Sequence, residues 1–227
     1  MKILAIAKEL TYPNLDIESL SLASLAETNI MIDAYDYIII SGGDGTLRRT
    51  VKELSKYKTI PPIILNPTGS FNVIAKLYRT HSLDTIMDKL SKQEPIETKK
   101  HPFYKLNSEV FLFSAGNMGD LQHILLSETL RFGFLQNGLW KYLLSFVALF
   151  PLYILLTPFM LLNSQRFFIF TPFSFIKKFG TFYGKVEPLT IDLGSAYNML
   201  ELDGDILFIE ERYLEIKEIG RLDIVVR

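Results

Sequence analysis

Cysteine is absent from the 227-residue chain. No disulfide can staple it and no thiolate can hold a metal, which fits a reducing compartment. Histidine is scarce. His81, His101 and His123 are far apart in sequence, so surface or core roles outrank a zinc site. Neither sign of charge prevails: 24 Lys and Arg meet 25 Asp and Glu, for a formal net charge of −1. No basic surplus announces nucleic acid, and none is expected as a partner. The N-terminal "MKILAIAKEL" has too short an apolar run for a signal peptide, and no small-residue cleavage site follows it. It reads as a first strand. What the chain has in quantity is apolar surface. Hydrophobic residues make up 48% of it, which supports a sizeable core and argues against disorder.

Residues 1–98 alternate strand and helix signals. "KILAIA", "YDYIIIS" and "IPPIILN" are short apolar runs of the kind buried in parallel sheets, the prolines of the last lying at its start. "LDIESLSLASLAE" places Leu15, Leu22, Leu25 and Ala26 near one helical face and predicts a helix. "TLRRTVKELSKY" has Leu47, Val51 and Leu54 at i, i+4 and i+7, an amphipathic helix. "FNVIAKLY" and "SLDTIMDKLSK" read as two more. Such alternation predicts a parallel, layered sheet. After about residue 100 the pattern changes. "FYKLNSEVFLFSAG" reads as two strands around an Asn-Ser turn, and "PLTIDLG", "YNMLELDGDILFIE", "RYLEIKEI" and "RLDIVVR" as short antiparallel strands. Two domains are expected: 1–98, α/β, and 99–227, β-rich, with an apolar helical insertion at about 125–165.

Within that insertion, residues 142–165 carry no charge. A span of roughly 20 apolar residues can cross a bilayer. Pro151 and Pro158 interrupt it, and each removes a helix hydrogen bond. Trp140, Lys141, Arg166, Lys177 and Lys178 stand at its edges, a pattern that suits a membrane interface. A membrane-dipping pair of helices, a transmembrane span and a buried core are the three readings. A single span would put the strands before and after it on opposite sides of the membrane.

Two glycine loops carry the chemistry. "SGGDGT" follows a strand and opens a helix, so its backbone N–H groups can approach an anion, aided by the helix N-terminus. Asp44 would repel a bare phosphate, and a carboxylate there makes sense with Mg²⁺ between them. "NPTGSFN" repeats the arrangement after the next strand, with Gly69 for close approach, hydroxyls on Thr68 and Ser70, and an amide on Asn72. Both loops are expected at the carboxyl edge of one parallel sheet, where α/β sheets bind ligands. Neither G-x-x-x-x-G-K-[ST] nor G-x-G-x-x-G occurs.

"GGDGT" followed by "PTGSFNVIAK" closely resembles the diacylglycerol kinase catalytic-domain family, which includes soluble bacterial lipid kinases and sphingosine kinases. Pro67, Gly69, Ser70, Asn72, Ala75 and Lys76 match its second loop in place or in kind. "FLFSAGNMGD", ending near Gly119, the run "LRFGFLQNGLWKYLLSFVALF" and "ELDGDILF" resemble later segments in the family's order. The resemblance implies an α/β nucleotide domain with a parallel sheet plus an antiparallel β-sandwich, the two-domain architecture shared by NAD kinases and diacylglycerol kinases.

It also implies roles. Gly42, Gly43, Asp44, Gly45 and Thr46 would hold the phosphates of ATP, with Mg²⁺ at Asp44, and Thr68, Gly69, Ser70 and Asn72 the rest of the nucleotide. Asp205 falls at the family's acidic residue after Asp-Gly and resembles a general base. Asp203 is a second candidate metal ligand, although Asp-Gly alone favours a hairpin turn. The family's N-terminal Asn-Pro-x-Ser-Gly loop is replaced by "AKELTYPN". Its Asn-Glu after GGDGT-Leu is Arg48-Arg49, read as solvated or as contacts to phosphate or anionic lipid. Its final Glu is Asp205. The expectation is an ATP- and Mg²⁺-dependent lipid kinase, cytoplasmic and peripheral to the inner face of the membrane, with a lipid substrate and the membrane surface as partners and a homodimer left open. A non-catalytic lipid- or nucleotide-binding relative is the alternative. An NAD kinase-type enzyme fits the greasy segment less well.

Overall fold

The protein is described from a computed structural model covering residues 1–27, 30–117, 151, 155 and 165–227. In chain order the elements are β1 (Lys2–Ile6), β2 (Asp16–Leu20), α1 (Leu22–Glu27), β3 (Tyr37–Gly42), α2 (Asp44–Leu54), β4 (Ile63–Pro67), α3 (Val73–Tyr78), α4 (Leu83–Ser91), β5 (Thr98–Leu106) and β6 (Glu109–Phe111). They continue with β7 (Ser114–Gly116), β8 (Phe168–Phe170), β9 (Lys178–Phe179), β10 (Phe182–Tyr183), β11 (Leu189–Asp192), β12 (Asn198–Leu202), β13 (Asp205–Ile209) and β14 (Tyr213–Val225). Two compact units emerge: Met1–Leu112 with Glu218–Arg227, and Phe113–Lys217. The sequence reading set a single boundary at 98–99. The hairpin β5–β6 and the end of β14 lie instead in the first unit, because they pair within its sheet.

The first unit's sheet has the order β2-β1-β3-β4-β14-β5-β6. Neighbours from β2 to β14 run parallel, and β5–β6 is an antiparallel hairpin. Ile38, Ile39 and Ile40 of β3 are all buried, as expected of a strand covered on both faces. On one face Leu83, Ile86, Met87 and Leu90 of α4 pack against Ile3, Ala5, Ile39, Ile64 and Val225. That spacing makes one apolar helix stripe. Ser82 caps the helix by accepting from Thr85 N.

The expected helix over 15–27 is half strand. Asp16–Leu20 pairs in parallel with β1, from Lys2↔Asp16 to Ile6↔Leu20. Ser21 Oγ then accepts from Ser24 N at 3.0 Å, a capping bond that starts the short α1. The 3.6-residue spacing of Leu15, Leu22 and Leu25 straddles this break. The Asn-Ser turn between β5 and β6 is found, with Asn107 in the left-handed region at φ 49°.

The second unit carries a six-stranded sheet, β13-β12-β7-β8-β10-β9. All its neighbours are antiparallel except β8 and β10. β11 pairs antiparallel with Tyr213–Ile216 of β14. The expected fold class therefore holds: a mostly parallel α/β sheet followed by a mostly antiparallel one. "RYLEIKEI" and "RLDIVVR", expected as two strands, form the single β14.

Of the expected apolar insertion, only Pro151, Leu155 and Gln165 are among the described residues. Leu155 is helical and exposed. Gly119, His123, Trp140 and Lys141 lie outside them. Among the described residues, no helix is long and apolar enough to cross a membrane.

Candidate functional site

β3 and β4 lie side by side in parallel register, with Ser41↔Asn66 and Gly42↔Pro67 as the last pairs. Both glycine loops therefore leave the sheet at adjacent carboxyl ends, as the sequence predicts. Thr68 N donates to Gly42 O at 3.0 Å and carries the pairing one step into the loops. Two close approaches explain the glycines. A Cβ on Gly42 would lie 2.5 Å from Thr46 Cβ, so the threonine folds back over bare backbone. A Cβ on Gly69 would lie 2.6 Å from Gly43 Cα. The loops touch backbone to backbone.

Asp44 is the first residue of α2, and its carboxylate reaches across to the other loop. Oδ1 accepts from Val73 N, the first amide of α3, at 2.8 Å. Asn72, in the left-handed region, gives α3 no side-chain cap, so Asp44 supplies that cap from the neighbouring loop. Burial raises the Asp44 pKa. The amides of Val73, Ile74 and Asn72 and the charge of Lys76 pull it back without cancelling the rise.

Asn72 Nδ2 donates to Gly69 O at 2.6 Å, while its Oδ1 is buried with no hydrogen-bond partner among the described residues. Gly42, Gly43, Asp44, Asn66, Asn72 and Ala75 help to line a hollow of about 20 Å³. That is room for one water, not for a phosphate. A phosphate chain would lie on the outer side of the loops. Thr68, Gly69 and Ser70 are exposed there, Gly45 and Thr46 are half-exposed, and α2 begins without a side-chain cap.

The third loop at this edge, residues 7–15 after β1, has no glycine. Ala7 takes φ 71°, and Tyr12 Oη donates to Asp84 Oδ1 at 2.6 Å. Burial and that carboxylate push the Tyr12 pKa up to about 12.

Arg48 is not solvated. It is 3% exposed, and its Nη1 lies 3.2 Å from Glu109 Oε2 on β6. Lys52 Nζ meets Glu109 Oε1 at 2.5 Å. The pair of cations ties α2, which carries the first loop, to the edge hairpin of its own sheet. Arg49 is exposed, and its Nε donates to Gly45 O at 3.1 Å.

Asp203 and Asp205 belong to the second unit. Asp203 and Gly204 form the tight turn between β12 and β13, at φ 50° and 90°. Asp203 is 2% exposed, and its Oδ1 accepts from Phe113 N and Ser114 N, each at 2.9 Å. The carboxylate expected at a metal is an internal anchor for the start of β7. Asp205 opens β13 opposite Leu202 and is half-exposed. Sequence reading missed Glu201, which is buried. Its Oε1 accepts from Ser114 Oγ at 2.9 Å and also from Gly204 N. A glutamate two residues before Asp-Gly, between Leu200 and Leu202 of β12, was the available signal.

The residues present fit the phosphates of a nucleotide: two glycine cradles, hydroxyls on Thr46, Thr68 and Ser70, and an uncapped helix start. For Mg²⁺ the first unit offers Asp44, whose Oδ1 also serves Val73. Among the described residues no group of three or more acids or histidines gathers. One carboxylate is compatible with Mg²⁺, which usually completes its shell with substrate phosphates and waters.

The first unit is thus a mostly parallel α/β sheet with two touching glycine loops at adjacent carboxyl strand ends. Residues 7–100, the segment bearing both loops, match the family model described as the diacylglycerol kinase catalytic domain. A protein of Streptococcus pneumoniae serotype 4 named "Putative lipid kinase" is 28% identical over 107 residues. That match spans 45% of this chain and 35% of the relative's length. A solved diacylglycerol kinase from Bacillus anthracis is similar over 58% of this chain and 52% of its own, at 19% identity and a TM-score of 0.41. An NAD kinase from Archaeoglobus fulgidus in complex with ATP is similar over 99% of this chain and 93% of its own, at 13% identity and a TM-score of 0.45.

Proposed function

We propose that the protein is an ATP-dependent lipid kinase that transfers the γ-phosphate to a hydroxyl of a membrane lipid such as diacylglycerol. The observation that carries this reading is the contact of the two glycine loops at adjacent strand ends, inside the segment that matches the kinase family. Phosphoryl transfer asks a protein for positioning and charge neutralisation more than for covalent chemistry. Gly42, Gly43, Gly45 and Thr46 supply backbone and hydroxyl donors on one side, and Thr68, Gly69 and Ser70 on the other. Asn72 keeps the second loop in shape through Gly69 O. Asp44 would hold Mg²⁺, which when bound neutralises phosphate charge. Asp205 is the candidate base: it takes the acceptor hydroxyl's proton as the new O–P bond forms, and the bond to the β-phosphate oxygen breaks to release ADP. A lipid acceptor implies work at the cytoplasmic face of the membrane.

A non-catalytic binding role has one observation in its favour: Asp44 and Asp203 each engage backbone amides. One assay separates the readings. Purified protein, labelled ATP and Mg²⁺ are incubated with hydroxyl lipids in mixed micelles, with NAD as a parallel acceptor and Asp44→Asn as the blank. The amide oxygen of asparagine can still cap α3, so the blank stays folded. Label in one lipid, lost in the blank, supports the kinase and identifies its acceptor. Label in NAD moves the activity to a soluble acceptor. No label from protein that binds ATP supports the binding role.

A further inference from the structure

The second unit holds an aromatic segment that the kinase reading does not use. From Arg166 to Lys185 there is no Asp or Glu, while phenylalanine recurs throughout. The rings form a connected series running outward. Phe168 stacks with Phe170 and touches Phe182. Phe170 meets Phe173 at 5.2 Å between centroids, and Phe173 meets Phe175 at 5.7 Å. The series ends in solvent, with Phe173 and Phe175 48% and 79% exposed, and Phe179 on β9 is 65% exposed as well. The backbone beneath is fixed. A Cβ on Gly184 would lie 2.2 Å from the carbonyl oxygens of both Phe173 and Ile176, so the loop bearing Phe175 rests directly on that glycine. Phe179 pairs with Phe182, and Lys178 with Tyr183, in the β9–β10 hairpin.

Three lysines share the segment with these rings, Lys178 beside Tyr183 on the opposite face of the hairpin from Phe179. Lys177, Lys178 and Lys185 line an open hollow of about 190 Å³ with Tyr183, Glu187, Pro188 and Leu189. Lys178 Nζ lies 5.0 Å from the centre of the Tyr183 ring, and Lys185 pairs with Glu187 at 3.4 Å. One acid therefore faces three lysines. Adjacent exposed phenylalanines mark a binding surface. The lysines say which kind. Lysine is depleted at protein–protein interfaces, where arginine is favoured. Lysine beside aromatic rings is the composition of surfaces that lie on membranes, and anionic headgroups complement it.

We infer that the hairpin segment 171–185 docks on an anionic phospholipid bilayer, with Phe175 and Phe179 entering the interface and Lys177, Lys178 and Lys185 meeting the headgroup phosphates. This deepens the lipid-kinase reading by naming the surface that meets the substrate's membrane. Its test contains no ATP, so failure of either idea leaves the other standing.

The experiment is co-sedimentation with vesicles of phosphatidylcholine, with and without phosphatidylglycerol. Each lysine near an anionic surface is worth about fivefold in partitioning, so Lys177→Gln with Lys178→Gln weakens binding to the anionic vesicles by about thirtyfold. Phe175→Ser with Phe179→Ser also weakens it, on vesicles of either composition. Both pairs are exposed, and circular dichroism checks that the variants keep the parent fold. Lys58→Gln with Lys99→Gln makes the same charge change on exposed positions of the first unit and leaves binding within about twofold. A parent that ignores anionic vesicles overturns the inference. So does a Lys177/Lys178 variant that binds like the parent, or a control pair that loses as much.

Discussion

Gly69→Ala tests whether the two loops are built to touch. The new Cβ would sit 2.6 Å from Gly43 Cα and 3.0 Å from Asn72 Oδ1. Carbon atoms rest at roughly 3.5–4.0 Å, so the loops must part by about 1 Å. Neither neighbour can rotate aside easily. One is backbone, and the other belongs to a side chain pinned to Gly69 O. Overpacking of this kind costs about 1–3 kcal/mol. Replacing glycine stiffens the unfolded chain and returns about 0.4–1 kcal/mol, which leaves a net loss centred on about 1 kcal/mol and no larger than about 2.6 kcal/mol. Gly43→Ala approaches the same contact from the other side, yet its Cβ would lie 3.3 Å from Gly69 Cα, so its packing penalty is smaller. Urea unfolding without nucleotide reads the stability. The upward shift in melting temperature on adding ATP reads the site. Gly69→Ala should lower the urea midpoint more than Gly43→Ala and shrink the ATP-induced shift. If Gly69→Ala matches the parent in both, the contact does not exist and the cradle argument falls with it.

Asp205→Asn should cut lipid phosphorylation by about a hundredfold or more, the scale of a lost general base; turnover near the parent's would leave Asp205 as a strand residue only. Glu109→Ala removes the carboxylate between buried Arg48 and Lys52 and should cost about 2–3 kcal/mol by chemical unfolding, with Glu109→Gln intermediate; an unchanged midpoint would show that the pair does not hold α2. His101 is buried, with Nδ1 at 2.9 Å from Tyr78 Oη and Nε2 at 3.2 Å from Leu112 O, and burial lowers its pKa from 6.5 to about 4 against the opposing bond to Leu112. The unfolded chain therefore takes up this proton first: stability is complete above about pH 6.5 and falls as pH drops towards 4, by up to roughly 3 kcal/mol. Urea midpoints across that window should slope less for His101→Gln; identical slopes would remove His101 as the source.

The glycine loops were legible because they combine a local pattern with a positional rule. Apolar strands ending in Gly-Gly-Asp-Gly-Thr and Pro-Thr-Gly-Ser must release their loops at the same edge of a parallel sheet, and Ser41↔Asn66 confirms that edge. α4 was legible for the same reason, since Leu83, Ile86, Met87 and Leu90 keep one face. What failed depended on distant pairing. Asp16–Leu20 looks helical until β1 lies beside it. Arg48 looks solvated until β6 brings Glu109. Asp203 looks like a ligand until the amides of Phe113 and Ser114, some ninety positions earlier in the chain, claim its carboxylate. Asp44 is the instructive mixture. Its place in the loop is written locally, but its bond to Val73 depends on two loops meeting.

β14 has a consequence for how the chain is made. Its residues from Glu218 onward lie between β4 and β5, with Ile224 opposite Ile63. The parallel edge of β4 therefore emerges from the ribosome long before its neighbour exists. At roughly 5–20 residues per second, the interval between Leu112 and Glu218 lasts about 5–20 s. During that time the nascent first unit presents an open strand edge, the feature most prone to capture another chain. A fragment ending at Leu112 lacks Glu218–Arg227 and makes that temporary state permanent, so it should be recovered as aggregate even though it contains both glycine loops.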